Sequence, residues 1–236
     1  DKIDKSFIKS LESSNTDIIV EADDIYKDMW RMLPMETNNE AVIVRDINVS
    51  NSPKWLKKKL ETNGLPSINS IVDISNLILL ELGHPIHIFD LDKLKSNNIN
   101  IRRAIDNEKI LTLDGKNRFL NNDNLLICDV DRPIAVAGVM GGKDSEVTKS
   151  TNNILIECAY FNPISIRKSS KALGLSTDAS KRFERGVDYD DHEFVINRTI
   201  YLINEISDNK NLNVDLKDFY PKKINPQKIT FDRKIV

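Results

Sequence analysis

The chain has 236 residues, long enough for one large core or two small ones. Its 34 basic and 36 acidic residues leave a net charge of -2, which gives no global attraction to nucleic acid, so any RNA contact must be local. No apolar run approaches the ~18 residues of a membrane-crossing helix, and Cys128 and Cys158 stand alone without a C-x-x-C, which points to no zinc site and no disulfide framework.

Residues 1–40 are charged and Asn-rich, with short apolar clusters such as DIIVEADDIYKDMWRMLP. They are expected to form a peripheral helix or two, or a loosely ordered lead-in from a preceding module. Asp1 is followed by no signal-peptide pattern, so the chain reads as a piece excised from a longer cytoplasmic protein. AVIVRDINVS (41–50) alternates as a strand. Ser52 is expected to cap a helix with Pro53 at its first position, running to Gly64. Its lysines 57–59 read as a solvated face, with an RNA-facing patch as the sharper alternative.

Residues 67–94, SINSIVDISNLILLELGHPIHIFDLDKL, combine apolar periodicity with reactive side chains. Ile71, Ile74, Leu77, Ile78 and Leu82 recur at the spacing of a helix with one buried face. Ser70 is expected to cap its start, with Asp73 as a capping-box variant, and Gly83 and Pro85 stop it. His87 and Asp90 follow in IHIFD, which alternates like a strand. One reading makes Ser75 and Asn76 bond to backbone and His87 a satisfied core residue; the other makes them a site. A Ser75/His87/Asp90 triad has no nucleophile elbow around its serine.

NINIRRAI then reads as a strand and KILTLDGKNRFL as a hairpin, with Asp114 and Gly115 expected at the two positive-φ positions of a tight turn. LLICDV is a strand, and residues 131–133 turn it into IAVAGVMGG. This meander argues for antiparallel sheet. GVMGG (138–142) has neither P-loop nor dinucleotide spacing. It is a turn between strands, or a backbone able to approach a ligand and offer N–H groups to an oxyanion. ILIECAYF places Glu157 inside a buried strand, where a carboxylate is costly unless something pairs with it: Arg167 or Arg182 as a structural partner, a ligand donor as a functional one. Asn162 and Pro163 open a capped helix ended by Gly174. In KRFERGVD, Arg182, Glu184 and Arg185 are expected to bury an ion-pair network. Val195, Ile196, Thr199, Leu202, Ile203 and Ile206 mark a long amphipathic helix. The fold class expected is α+β, antiparallel sheets flanked by helices, in a unit of residues 41–208, with 1–40 a lead-in and 209–236 a linker and the start of a further module.

Four blocks also carry a resemblance. The run 68–94, AVAGVMGGKDSEV (135–147), ILIECAYFNPISIRKSSKALGLSTDASKRFERGVD (154–188) and the helix after it resemble, in order and spacing, bacterial phenylalanyl-tRNA synthetase beta subunits. The match runs from about residue 41 to 206, the third and fourth modules of that subunit, and implies its editing-domain fold. It departs at Ser75 (threonine in the family), His84 (glutamine), Ile86 and Ile88. The resemblance implies part of a phenylalanine-tRNA ligase in which these modules hydrolyse tyrosine mischarged onto tRNA(Phe). It further implies that His87 and Asn76 act on water and ester, and that Glu157 receives the phenol hydroxyl. Ser75, Gly138, Thr177 and Ala179 would line the pocket, with His84 neutral to function. No metal or cofactor is implied in this segment, while ATP and Mg2+ serve the full synthetase. The implied partners are the tRNA acceptor end and an alpha subunit in an alpha2-beta2 heterotetramer in the cytoplasm, with no membrane. The alternative is a non-catalytic assembly and tRNA-binding module.

Overall fold

A computed structural model describes residues 19–22, 30–32, 42–96, 98–207 and 213–215. The hub is strand β11 (Ile154–Phe161), in which every side chain but Tyr160 is buried. Such a run belongs to a strand covered on both faces. Along one edge, β4 (Ile86–Asp90) pairs antiparallel with it. β3 (Val42–Arg45) pairs with residues 154–156 of β11 and β2 (Trp30–Met32) with residues 159–161, and β12 (Asn213–Asp215) extends the sheet beyond β3. The second sheet has the order β1 (Ile19–Ala22), β5 (Asn98–Arg103), β8 (Leu125–Asp129), β9 (Arg132–Val136), β10 (Met140–Gly141). All its pairings are antiparallel except β1 with β5. A two-stranded hairpin, β6 (Lys109–Leu111) with β7 (Asn117–Phe119), completes the strands.

Alternation along β11 divides the interior into two cores. Leu155, Ala159 and Phe161, with Phe89 of β4, face the second sheet and pack with Ile101, Ile127, Val136, Ile166 and Phe183. Ile154, Ile156 and Cys158, with Ile88, face the opposite way, onto helices. These are α1 (Lys54–Thr62), α2 (Ser70–Leu82) and α5 (His192–Ile206), contributing among others Leu56, Leu60, Ile74, Ile78, Val195 and Ile203. Fully burying each such aliphatic chain contributes about 1.5–3 kcal/mol, so the layers are held chiefly by this alternation. The α+β class and the helix-flanked antiparallel sheets are as the sequence implies.

Several local expectations are corrected. Asn69, not Ser70, caps α2, accepting from the N–H groups of Ile71 and Val72. Asp73 makes no capping box; it accepts the hydroxyls of Ser52 and Ser67, each at 2.5 Å, and the N–H of Ile68 at 2.8 Å. With its hydroxyl turned to Asp73, Ser52 does not cap α1, whose N-cap is Pro53 with no side-chain bond. At the β6–β7 turn only Gly115 has positive φ, while Asp114 accepts the Thr112 hydroxyl at 2.6 Å. The β8–β9 reversal is at Val130 (φ 58), and Arg132 and Pro133 already belong to β9. Arg182 and Arg185 are exposed, so they form no buried ion-pair network. In 1–40 the described residues are strands rather than helix. The rest of that segment and QKITFDRKIV lie outside the described residues.

Asn162 and Pro163 do open a helix, α3 (Pro163–Leu173), ended by Gly174 at φ 60. A further short helix, α4 (Asp178–Phe183), follows within STDASKRF.

Candidate active site

Register brings the two reactive side chains of the sequence together. Glu157 of β11 lies directly opposite His87 of β4. Opposed residues of an antiparallel pair project from the same face with Cβ atoms about 4.5–5.5 Å apart, here the face turned to the second sheet. Glu157 is 5 % exposed and His87 half-buried. Among the described residues Glu157 makes no hydrogen bond or ion pair, with Arg167, Arg182 or any other group. Burial is the cause that pushes its carboxyl up to about 8 from the ordinary 4.5. Burial likewise pushes the His87 imidazole down to about 4 from 6.5. Near pH 7 both groups are therefore predominantly neutral, and their neighbourhood is one from which charge is excluded.

Glu157 differs in this from the other buried carboxylates. Asp90 accepts the Thr151 hydroxyl at 2.5 Å and the Asp92 N–H at 3.1 Å, and Lys93 lies 3.3 Å away. Asp129 accepts from the N–H groups of Lys95 and Ser96 and from Arg132. Burial works to raise the Asp129 carboxyl, but these bonds outweigh it and hold it below its usual range. Asp73 is saturated in the same manner, as described above. A buried carboxyl left with its hydrogen-bonding capacity unspent is a functional-site signal.

The glycine turn lies across this face. A Cβ on Gly141 would come within 2.5 Å of the His87 ring, so only glycine lets the imidazole rest against the turn. Phe89 meets the ring edge-on at 4.5 Å. At the other end, Gly138 (φ 64) sits so close to Phe161, Ile166 and Phe183 that a Cβ would be 2.8–3.1 Å from them. Thr177 caps α4 through a reciprocal bond pair with Ser180, and its hydroxyl donates to the Val139 carbonyl at 2.8 Å, tying α4 to the turn. Ala179 is half-buried against the same core. The turn of residues 138–142 therefore meets His87 at Gly141 and α4 at Val139. Within the turn, the N–H of Val139 bonds to Val136 and that of Gly142 to Ile134, so these two are already engaged.

Ser75 and Asn76 stand apart from that face. Both are half-buried on α2, which packs on the opposite side of the sheet, and neither hydrogen-bonds to His87 or Glu157 among the described residues. The Ser75 hydroxyl donates to the Val72 carbonyl at 2.7 Å. With Asp90 also engaged, no triad is assembled. The sequence shows Gly141 only as part of a turn motif; its contact with His87 depends on how the second sheet docks, which no local pattern encodes. On α1, Lys57 pairs with Glu61 at 3.7 Å and Lys59 lies over the Trp55 ring, as on a solvated face.

Residues 39–208 match the family model described as the B3/4 domain. The chain belongs to the B3/4 domain family. It is 51% identical over 165 residues to a phenylalanine-tRNA ligase beta subunit of Protochlamydia amoebophila, covering 70% of this chain and 21% of that protein. It is 45% identical over 188 residues to the one from Carboxydothermus hydrogenoformans (80% and 23%), and 42% over 199 residues to the one from Fusobacterium nucleatum (84% and 24%). The chain therefore spans about a fifth to a quarter of the length of these relatives. Both the central sheet pair carrying Glu157 and His87 and the glycine turn fall inside the B3/4 match.

Proposed function

We propose that this B3/4 domain is the hydrolytic proofreading site of a phenylalanine-tRNA ligase beta subunit, clearing tyrosine mischarged onto tRNA(Phe). The observation that carries the reading is the buried, unbonded carboxyl of Glu157 opposite His87. A pocket that must admit phenylalanine rejects tyrosine weakly, by about 10²-fold, because an added hydroxyl is tolerated. A site built to bond that hydroxyl inverts the test. It rejects the analogue lacking the group by roughly 10⁴-fold or more, since its own polar group is then left unpaired. Glu157, protonated near neutral pH, both donates to and accepts from a phenol. Ala179 leaves room for the ring, Gly138 lets the turn close against Phe161 and Phe183, and Thr177 holds the wall of α4 in place.

Hydrolysis proceeds by attack of water oxygen on the ester carbonyl carbon. The tetrahedral oxyanion then collapses with loss of the ribose oxygen, which takes up a proton, and tyrosine and uncharged tRNA leave. With its basicity lowered by burial, His87 orients water more than it abstracts a proton. The ester is already activated, so positioning beside the neighbouring ribose hydroxyl suffices. Asn76 and Ser75 lie on α2 across the sheet from this pair, so no step is assigned to them. The remaining N–H groups of the glycine turn face the oxyanion. ATP and Mg2+ are used elsewhere, at the aminoacylation centre of the alpha subunit in an alpha2-beta2 assembly.

The test is deacylation of tyrosyl-tRNA(Phe) by this chain and by the full heterotetramer, each with Glu157→Ala and His87→Ala variants. Release of tyrosine by the parent and its loss in both variants is the expected result. Release by none of them assigns the domain to assembly and tRNA binding instead.

A further inference from the structure

The other face of the same strands carries a second cluster. Cys158, next to Glu157 but projecting toward the helices, lies with His84 and His192 so that one donor atom of each is within 4.8 Å of the others, all three residues being buried. They come from three elements: β11, the turn before β4, and the first residue of α5. We propose that His84, Cys158 and His192 bind a divalent transition metal, with zinc the best match to a thiolate and two imidazoles.

The outer contacts of both histidines support this. His84 Nε2 lies 3.3 Å from the Ala159 carbonyl oxygen and His192 Nδ1 lies 3.0 Å from that of Tyr189. A carbonyl accepts only from a protonated nitrogen, so in the neutral ring each contact fixes a tautomer and leaves the lone pair on the other ring nitrogen. That arrangement is the one by which metal-binding histidines are oriented.

A second observation is independent. His84 Nδ1 stands 3.1 Å from Asp191 Oδ1, yet neither atom makes a hydrogen bond, and both are buried. With the His84 proton on Nε2, two lone pairs face each other across that distance, an arrangement a cation relieves. An ion central to three atoms no more than 4.8 Å apart lies at most about 2.8 Å from each, so a contraction of roughly 0.5 Å at sulfur and about 0.7 Å at each nitrogen reaches zinc bonding distances. Binding displaces the Cys158 proton to solvent and forms the metal–sulfur bond, so affinity rises with pH. The ion would staple the start of α5 to β4 and β11 directly behind Glu157.

The experiment treats the full chain with a chelator, desalts it, and adds Zn2+ or Co2+. Expected are one equivalent of metal retained after a second desalting, a thiolate-to-cobalt charge-transfer absorption, and a higher thermal midpoint with zinc. Cys158→Ala should abolish the charge-transfer band, and His84→Gln should lower retention at least tenfold. Where a variant fails to fold, the parent's cobalt spectrum and metal content decide alone. No retained metal, cobalt bound without a thiolate band, or a midpoint indifferent to zinc each overturns the proposal. In that event His84 and Asp191 form a simple ion pair.

Discussion

Two buried carboxyls, at the start of α2 and in the middle of β11, show how differently one fold can treat the same chemical group. Asp73 is 0 % exposed and gathers two hydroxyls and an N–H, stitching the segments before α1 and α2 to the helix. Glu157 is nearly as buried but is offered no donor by the described residues. Burial of a carboxyl costs several kcal/mol unless hydrogen bonds replace its water. At Asp73 the fold supplies them, and the residue contributes to stability. At Glu157 the cost stands, and the molecule carries it where a ligand can relieve it.

The comparison predicts opposite signs on mutation. Asp73→Ala leaves three donors without an acceptor and should lower stability by about 3 kcal/mol, read by urea unfolding at pH 7. Glu157→Gln removes a group that resists ionisation in its surroundings. It should raise stability at pH 9, where the parent's carboxyl is ionised, with little change at pH 5, while tyrosyl-tRNA(Phe) hydrolysis falls. Destabilisation of the Gln variant at pH 9 would show that Glu157 is a structural carboxylate like Asp73.

Much of this contrast was within reach of the sequence. The periodicity of α2 and α5, the alternation of IHIFD and the apolar run around Glu157 all state which residues are buried, because burial period follows element type. Partners are another matter. Ser52 and Ser67 reach Asp73 only because α1 and α2 pack together, so a serine read as a cap becomes a buried donor. Asn69 and Ser70 are both good caps, and the sequence does not choose between adjacent ones. Six-residue α4 is too short to show a period. The facing of residues 87 and 157, like the meeting of 84, 158 and 192, is set by strand register and helix docking across long separations. A search for short cysteine and histidine spacings passes over the latter group.

The pH profile sharpens the contrast further. For Glu157, raised from 4.5 to about 8, the folded state holds a proton that the unfolded chain releases, so stability falls as pH rises through that window. For His87, lowered from 6.5 to about 4, the unfolded chain holds the extra proton, so stability rises from pH 4 to 6.5. Between about 4.5 and 6.5 the two slopes oppose and should nearly cancel. From 6.5 to 8 Glu157 acts alone, giving a decline of about 1.4 kcal/mol per pH unit. His87→Gln should extend the decline down to about pH 4.5, and Glu157→Gln should flatten it; a parent profile flat from 6.5 to 8 contradicts the assignment.

Gly141→Ala tests the same pair from outside the strands. Its Cβ would meet the His87 ring, 2.4 Å from Cε1, and the ring must turn away. Stability should fall by on the order of 1 kcal/mol, from overpacking alone. Hydrolysis should fall by about 10²-fold, because water positioning is lost. Equal stability loss with unchanged hydrolysis would separate His87 from the reaction.

The smallest effect is expected two residues from the largest. Ser75 follows Asp73 on α2, but its hydroxyl is half-buried and only donates to the Val72 carbonyl three residues back. Such back-bonding adds little to a helix, and alanine is the better helix former. Ser75→Ala should therefore leave stability within about 0.5 kcal/mol of the parent. If the hydroxyl instead meets the ester end of a bound tRNA, the variant should lose hydrolysis several-fold through kcat at unchanged stability, and Ser75→Thr should restore it. If both substitutions leave hydrolysis untouched, Ser75 is helix surface, and the site is confined to the face of β4 and β11 that carries His87 and Glu157.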